Sequence, residues 1–167
     1  MFHVKEFRVS VSGVEMDCIS FGTGTKPLIM LQGLQTKGIR GAGASLAYLY
    51  RLFAKEYTIY LFDRRKDVWE GITVRDLAAD VALAMDYLGI SNADVLGVSQ
   101  GGMIAQYLAI DRPDLVRKLV LAVTLSRNNE TVETVIGHWV QLVTQRSMKA
   151  FVRDLAYKMY STSYLRR

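Results

Sequence analysis

The 167-residue chain is one domain by length; half of it is hydrophobic and 22% is charged, so it can bury a core and is not low-complexity or disordered in composition. The net charge of +5 invites a nucleic-acid reading, but residues 1–125 hold 14 basic and 13 acidic side chains, and the excess lies in the last 42 residues with 7 and 3. The cluster Arg64-Arg65-Lys66 is flanked by Asp63 and Asp67, and no basic stripe is interleaved with aromatics, so no nucleic-acid partner is expected.

No apolar run approaches the ~20 residues of a membrane span, and the N-terminus lacks a signal-peptide core, so no membrane partner is expected. Cys18 is the single cysteine, which excludes an intrachain disulfide and makes a reducing cytoplasm the simplest location. No His/Cys/Asp/Glu cluster has metal-ligand spacing, and neither a metal nor another cofactor is implied.

In chain order, Lys5–Ser12 alternates apolar and polar residues and predicts a half-buried strand. Ser12-Gly13 turns the chain, and Val14–Phe21 is its antiparallel partner, so the protein opens on a hairpin. The apolar run Leu28–Leu31 predicts a strand buried on both faces. A loop with Gly33, Gly38, Gly41 and Gly43 follows, then a helix over Ala44–Ala54 with Leu46, Tyr48, Leu49, Leu52 and Phe53 on its apolar side. Thr58–Phe62 is another buried strand.

Thr73 with Asp76 three residues on predicts a capped helix that runs to Leu88, and Gly89 ends it. Ala93–Val98 is a strand, and the next helix runs to about Asp111, before Arg112-Pro113 breaks it. Leu119–Val123 is a further buried strand. This alternation predicts an α/β fold, a mostly parallel sheet with helices on both faces. After Ser126 two amphipathic helices follow with no strand between them, capped by Asn129 and Ser147. The expected division is therefore 1–126 and 127–167.

The segment Gly97-Val98-Ser99-Gln100-Gly101 fits G-x-S-x-G between a strand and a helix. Such a turn holds its serine in a strained conformation at the tip. Side chains two residues before and after would collide with neighbouring elements, so both places want glycine.

With the opening hairpin, the strand leading to Gly33, and Asp63 with Arg65, this segment makes the chain resemble an α/β-hydrolase of the lid-bearing esterase and peroxidase type. The resemblance covers nearly the whole chain and matches the first half to two-thirds of such an enzyme. It implies Ser99 as nucleophile on a small ester or similar acyl compound, with the backbone N–H groups of Gln100 and Leu34 as oxyanion donors. Gln32-Gly33 stands where the family has His-Gly, and Lys66 where glycine is common. Asp63 and Arg65 are read as loop-ordering residues.

The resemblance places 127–167 as a lid, where Trp139, Met148 and Met159 are candidates to line an acyl site, although ordinary packing accounts for their spacing. It also implies that the triad acid and histidine lie on later strands that these residues do not include. His3 precedes the first strand and His138 lies in the first lid helix, with no carboxylate set to orient it; Glu130 is the one acid near a position that some relatives use. Without later strands, Leu119–Val123 has an open edge, which offers self-association or pairing with a second chain. The alternative function is a non-catalytic binding or assembly module, or an inactive fragment of such an enzyme. Carbon–carbon hydrolase or cofactor-free peroxidase chemistry is also compatible with the scaffold.

Overall fold

The structure, a computed structural model, describes residues 3–35 and 37–166. It divides into two compact units, 1–126 and 127–167. The first contains β1 (Lys5–Val11), β2 (Val14–Phe21), β3 (Lys26–Leu31), α1 (Gly43–Leu49), β4 (Tyr57–Phe62), α2 (Val74–Tyr87), β5 (Ala93–Val98), α3 (Gln100–Asp111) and β6 (Val116–Ala122). The second contains α4 (Glu130–Thr144), α5 (Met148–Met159) and α6 (Thr162–Leu165).

The six strands form one sheet in the order β1-β2-β4-β3-β5-β6. β1 and β2 are an antiparallel hairpin, β2 runs antiparallel to β4, and β4, β3, β5 and β6 are parallel. The mostly parallel α/β arrangement is the one the sequence predicts.

Alternation along β3 shows how the sheet is covered. Ile29 and Leu31 join Val95, Ile104, Leu108, Val81 and Met85 in the core under α2 and α3. Leu28 and Met30 face the other way, with Ile19, Phe21, Ile59 and Leu61, and pack with Ala47 and Ala54. Successive side chains of a strand point to opposite faces, so an uninterrupted apolar run is required when both faces are covered.

Helix α2 begins on the expected capping box: the Thr73 hydroxyl accepts from the Asp76 N–H, and the Asp76 carboxylate accepts from the Thr73 N–H. Gly89, at φ +66°, turns the chain out of it. Cys18 is buried in β2, and burial pushes its thiol up to about 12, so it is an inert core residue.

Three expectations are corrected. The helix predicted over Ala44–Ala54 stops at Leu49, where the bonding changes from Tyr50 N–H to Leu46 O into three-residue steps from Arg51 to Tyr48, Phe53 to Tyr50 and Ala54 to Arg51. The tighter turn rotates Leu52 and Phe53 off the sheet, and Tyr48 and Leu49, within α1, are exposed as well, while Ala47 and Ala54 are buried.

The strand predicted as buried over Leu119–Val123 is Val116–Ala122, and Leu119, Val120 and Leu121 are 36%, 54% and 43% exposed. β6 stands last in the sheet and pairs only with β5 among the described residues. Finally, Asn129 caps α4 by accepting from the Val132 N–H at 2.9 Å, but the Ser147 side chain makes no cap bond to α5.

Within the second unit, Trp139 donates from Nε1 to Asp154 Oδ2 at 2.8 Å and meets the Phe151 ring edge-on at 6.1 Å. Its contacts are therefore with α5. Met148 and Met159 are exposed on that helix.

Candidate active site

The loop between β5 and α3 is a sharp turn with Ser99 at its tip. Ser99 has φ +53° and ψ −123°, a region non-glycine residues rarely adopt and which costs on the order of 1–3 kcal/mol. Hydrogen bonds hold it there. Its N–H donates to Ala122 O at 3.0 Å, and its carbonyl accepts from Gly102 N–H at 2.9 Å and from Thr124 Oγ1 at 2.7 Å. The serine side chain makes no cap bond to α3, and the residue is exposed.

Close approach explains the flanking glycines. A Cβ on Gly97 would lie 2.6 Å from the Gly101 carbonyl oxygen and from the Gly102 Cα. A Cβ on Gly101 would overlap the Leu31 carbonyl. Both are backbone neighbours that cannot swing aside, so β5, β3 and α3 meet only because these positions lack side chains.

Opposite Ser99 runs the loop after β3. A Cβ on Gly33 would lie 3.1 Å from Ser99 Cβ and 3.6 Å from its Oγ. Leu34, the next residue, is 79% exposed, and its N–H has no protein acceptor among the described residues. Gln100 is the first residue of α3, so its N–H is one of the donors that a helix leaves unpaired. The α3 N-terminus brings partial positive charge to the same place. The structure thus gathers Ser99, Gln100 and the Gly33-Leu34 backbone at the C-terminal ends of β3 and β5, where ligands bind in open parallel sheets.

The loop after β4 fastens this arrangement. Asp63 Oδ2 accepts from Ile39 N–H at 2.9 Å, and its Oδ1 accepts from Arg64 N–H at 2.8 Å. A Cβ on Gly38 would sit 2.8 Å from Asp63 Oδ2. Arg65 instead faces the hairpin side: it lies 3.4 Å from Asp80, donates to Gly13 O at 3.4 Å, and stacks over Trp69 at 4.4 Å. Burial of the Asp80 carboxyl raises its pKa. Lys66 donates from its backbone to Glu15 O at 3.0 Å and lies near Asp17 and Glu15, carrying the loop along β2.

Sequence reasoning missed Arg64. Its Nη2 donates to the Gln32 carbonyl at 2.5 Å and its Nε to Gln100 Oε1 at 3.2 Å, so it joins the two loops of the site. Desolvation lowers the pKa of this part-buried guanidinium. No motif marked it: Asp63 faces the Ile39 loop and Arg65 the hairpin, so the side that Arg64 takes is set by the loops that converge on it.

Neither histidine completes the arrangement. β1 is parallel to β5, so His3 lies at the end of the sheet where β5 begins, and four strand positions away, roughly 19 Å across. His138 and Glu130 belong to α4 in the second unit. Among the described residues no group of three His, Cys, Asp or Glu side chains could hold a metal ion. No helix among them is long and apolar enough to cross a membrane.

A parallel sheet with helices on both faces and a serine at a strained strand–helix turn define one class of protein. The family model described as alpha/beta hydrolase fold matches residues 26–159, and the chain belongs to that family. It is 34% identical over 87 residues to homoserine O-acetyltransferase of Thermus thermophilus, covering 52% of this chain and 21% of that protein. It is 22% identical over 173 residues to 3-oxoadipate enol-lactonase 2 of Acinetobacter baylyi, covering 99% of this chain and 61% of that one. Among solved structures, an alpha/beta hydrolase fold protein from Chitinophaga pinensis superposes with a TM-score of 0.66 at 27% identity, covering 84% of this chain and 52% of the other. The chain thus spans less than two-thirds of the length of each of these relatives.

Proposed function

We propose that the protein is a serine hydrolase acting on a small ester or similar acyl compound, with Ser99 as nucleophile. The observation that carries this reading is the Ser99 backbone, held at φ +53° with the residue exposed beside two sets of unpaired N–H groups. Strain of this kind persists where surrounding bonds enforce it, and it clusters at sites of chemistry. The names of the acetyltransferase and the lactonase, which denote acyl transfer and opening of a cyclic ester, point the same way.

In the reaction, Ser99 Oγ attacks the carbonyl carbon while a general base takes its proton. Charge moves onto the carbonyl oxygen, and the N–H groups of Gln100 and Leu34 donate to it there. One such donor is worth about 3–4 kcal/mol in the transition state. Collapse expels the alcohol, which takes a proton from the base, and leaves an acyl-Ser99 ester that water then cleaves. The base and the acid that orients it come from outside these 167 residues, supplied by further sequence or by a second chain. No metal or other cofactor takes part, and the single buried Cys18 suits a reducing, cytoplasmic setting.

Hydrolysis of 4-nitrophenyl acetate by the protein isolated from its own host tests the reading. Activity that disappears in Ser99→Ala is expected, and activity that survives the substitution sinks it. A second reading, a non-catalytic assembly module, draws on the exposed Leu119, Val120 and Leu121 of β6. It predicts concentration-dependent self-association, or a bound second chain, and no turnover.

A further inference from the structure

We infer that Arg64 and Lys37 form a carboxylate-binding subsite beside Ser99, so that the substrate is an ester or lactone carrying a carboxylate of its own. The inference rests on the reading of Ser99 as the group that meets the reacting carbonyl. A cleft of about 150 Å³ is lined by Gly33, Leu34, Gly38, Lys37, Asp63 and Arg64. At roughly 30 Å³ per water it has room for about five, which suits a short acid arm rather than a large acyl chain.

The charges in this cleft are unevenly matched. Among the described residues no carboxylate lies within ion-pair distance of either the Arg64 guanidinium or Lys37 Nζ. Asp63 is the one acid in the lining, and its two oxygens already accept the Ile39 and Arg64 backbone N–H groups.

Arg64 also has donors to spare. A guanidinium carries five N–H groups, of which Gln32 O and Gln100 Oε1 take two. Both Nη1 donors and one on Nη2 remain, the pair of nitrogens that a carboxylate bridges in bidentate fashion. Those same two contacts fix the guanidinium between the Gly33 loop and the residue after Ser99, so it is ordered before a ligand arrives. Asp63 attracts the guanidinium without touching it, and a part-buried cation with no carboxylate in contact is costly to maintain. An anionic arm entering from the site would relieve that cost, whereas a neutral ester would not.

The test uses the full chain carrying Ser99→Ala, which cannot turn over, titrated calorimetrically with monomethyl glutarate and with dimethyl glutarate. The acid ester is expected to bind about tenfold or more tightly than the diester, and to weaken with added salt. Arg64→Met in that background should remove the preference, while Lys37→Gln, at an exposed position, should reduce it about two- to threefold. Equal affinity for the two ligands, no saturable binding of the acid, or a preference unchanged by Arg64→Met overturns the subsite. Because the titration needs no nucleophile, acid binding in a protein whose Ser99 proves unreactive sinks the catalytic reading alone, and a reactive Ser99 with no acid preference sinks the subsite alone.

Discussion

Where the chain leaves β4, Arg65 turns toward the opening hairpin and α2, and Arg64 turns toward the Gly33 loop and the elbow. On the Arg65 side the guanidinium has a carboxylate partner, Asp80 at 3.4 Å, together with the Gly13 carbonyl and the Trp69 ring, while Arg65 Nε and Asp80 Oδ2 stay buried without a hydrogen-bond partner. On the Arg64 side the guanidinium meets a carbonyl and an amide but no carboxylate. One loop thus divides its work. The first region is closed by charge matching and holds the fold. The second is left electrostatically incomplete next to a strained serine, which is what a ligand site requires and a structural contact does not.

The largest effect is expected at the strained serine. Ser99→Ala should lower the turnover number roughly 10⁶-fold, the scale seen when a triad serine is removed, with urea unfolding little changed. Next comes the elbow's packing. Gly101→Ala forces a methyl group into the Leu31 carbonyl, and should cost about 3 kcal/mol in a denaturant titration.

The two arginines should then separate cleanly. Arg65→Met strands the buried Asp80 and should cost about 3 kcal/mol of stability, leaving preference for an acid ester intact. Arg64→Met removes the bonds to the Gln32 carbonyl and to Gln100 Oε1 together with a desolvated cation, so its stability should stay within about 1–2 kcal/mol of wild type, while the preference is lost. Similar stability losses in both, or a lost preference in Arg65→Met, would break the division of labour.

The smallest effects lie at the start of α2. Thr73→Ala should cost about 1 kcal/mol. Asp76 has its carboxyl lowered from 3.8 by the Thr73 hydroxyl and N–H. A folded pKa below the unfolded one stabilises above the ordinary value, and that contribution is lost as pH falls through the lowered one. Asp76→Asn should therefore flatten the acid limb of a stability–pH curve while leaving the two arginine regions alone.

Much of the fold was legible because its signals are local. The alternation of β1, the apolar run of β3, the Thr73–Asp76 box and the glycines around Ser99 each constrain backbone within a few residues. What was not legible depends on neighbours distant in sequence. Leu52 and Phe53 have the spacing of a helix core, but the chain tightens after Leu49 and exposes them. β6 has the composition of a buried strand, yet its exposure is set by its place at the end of the sheet.

At the candidate site, the strand–turn–helix pattern put Ser99 at the tip of a turn, while Gln100 and the Gly33-Leu34 loop came from the resemblance to a hydrolase family. Arg64 could not be read from motif spacing, because the pattern fixes the residues on either side of it and leaves its own position open. Its part in the site became visible only when the loops after β3, β4 and β5 were seen to converge.

Covalent capture asks whether Ser99 is the reactive group. The protein isolated from its native host would be incubated with a fluorophosphonate and mapped by peptide mass spectrometry. One adduct per molecule is expected on the peptide carrying Ser99, absent when Ser99→Ala is expressed in the same host. A folded preparation that takes up no label at Ser99, or takes it up at another residue, would contradict a reactive Ser99.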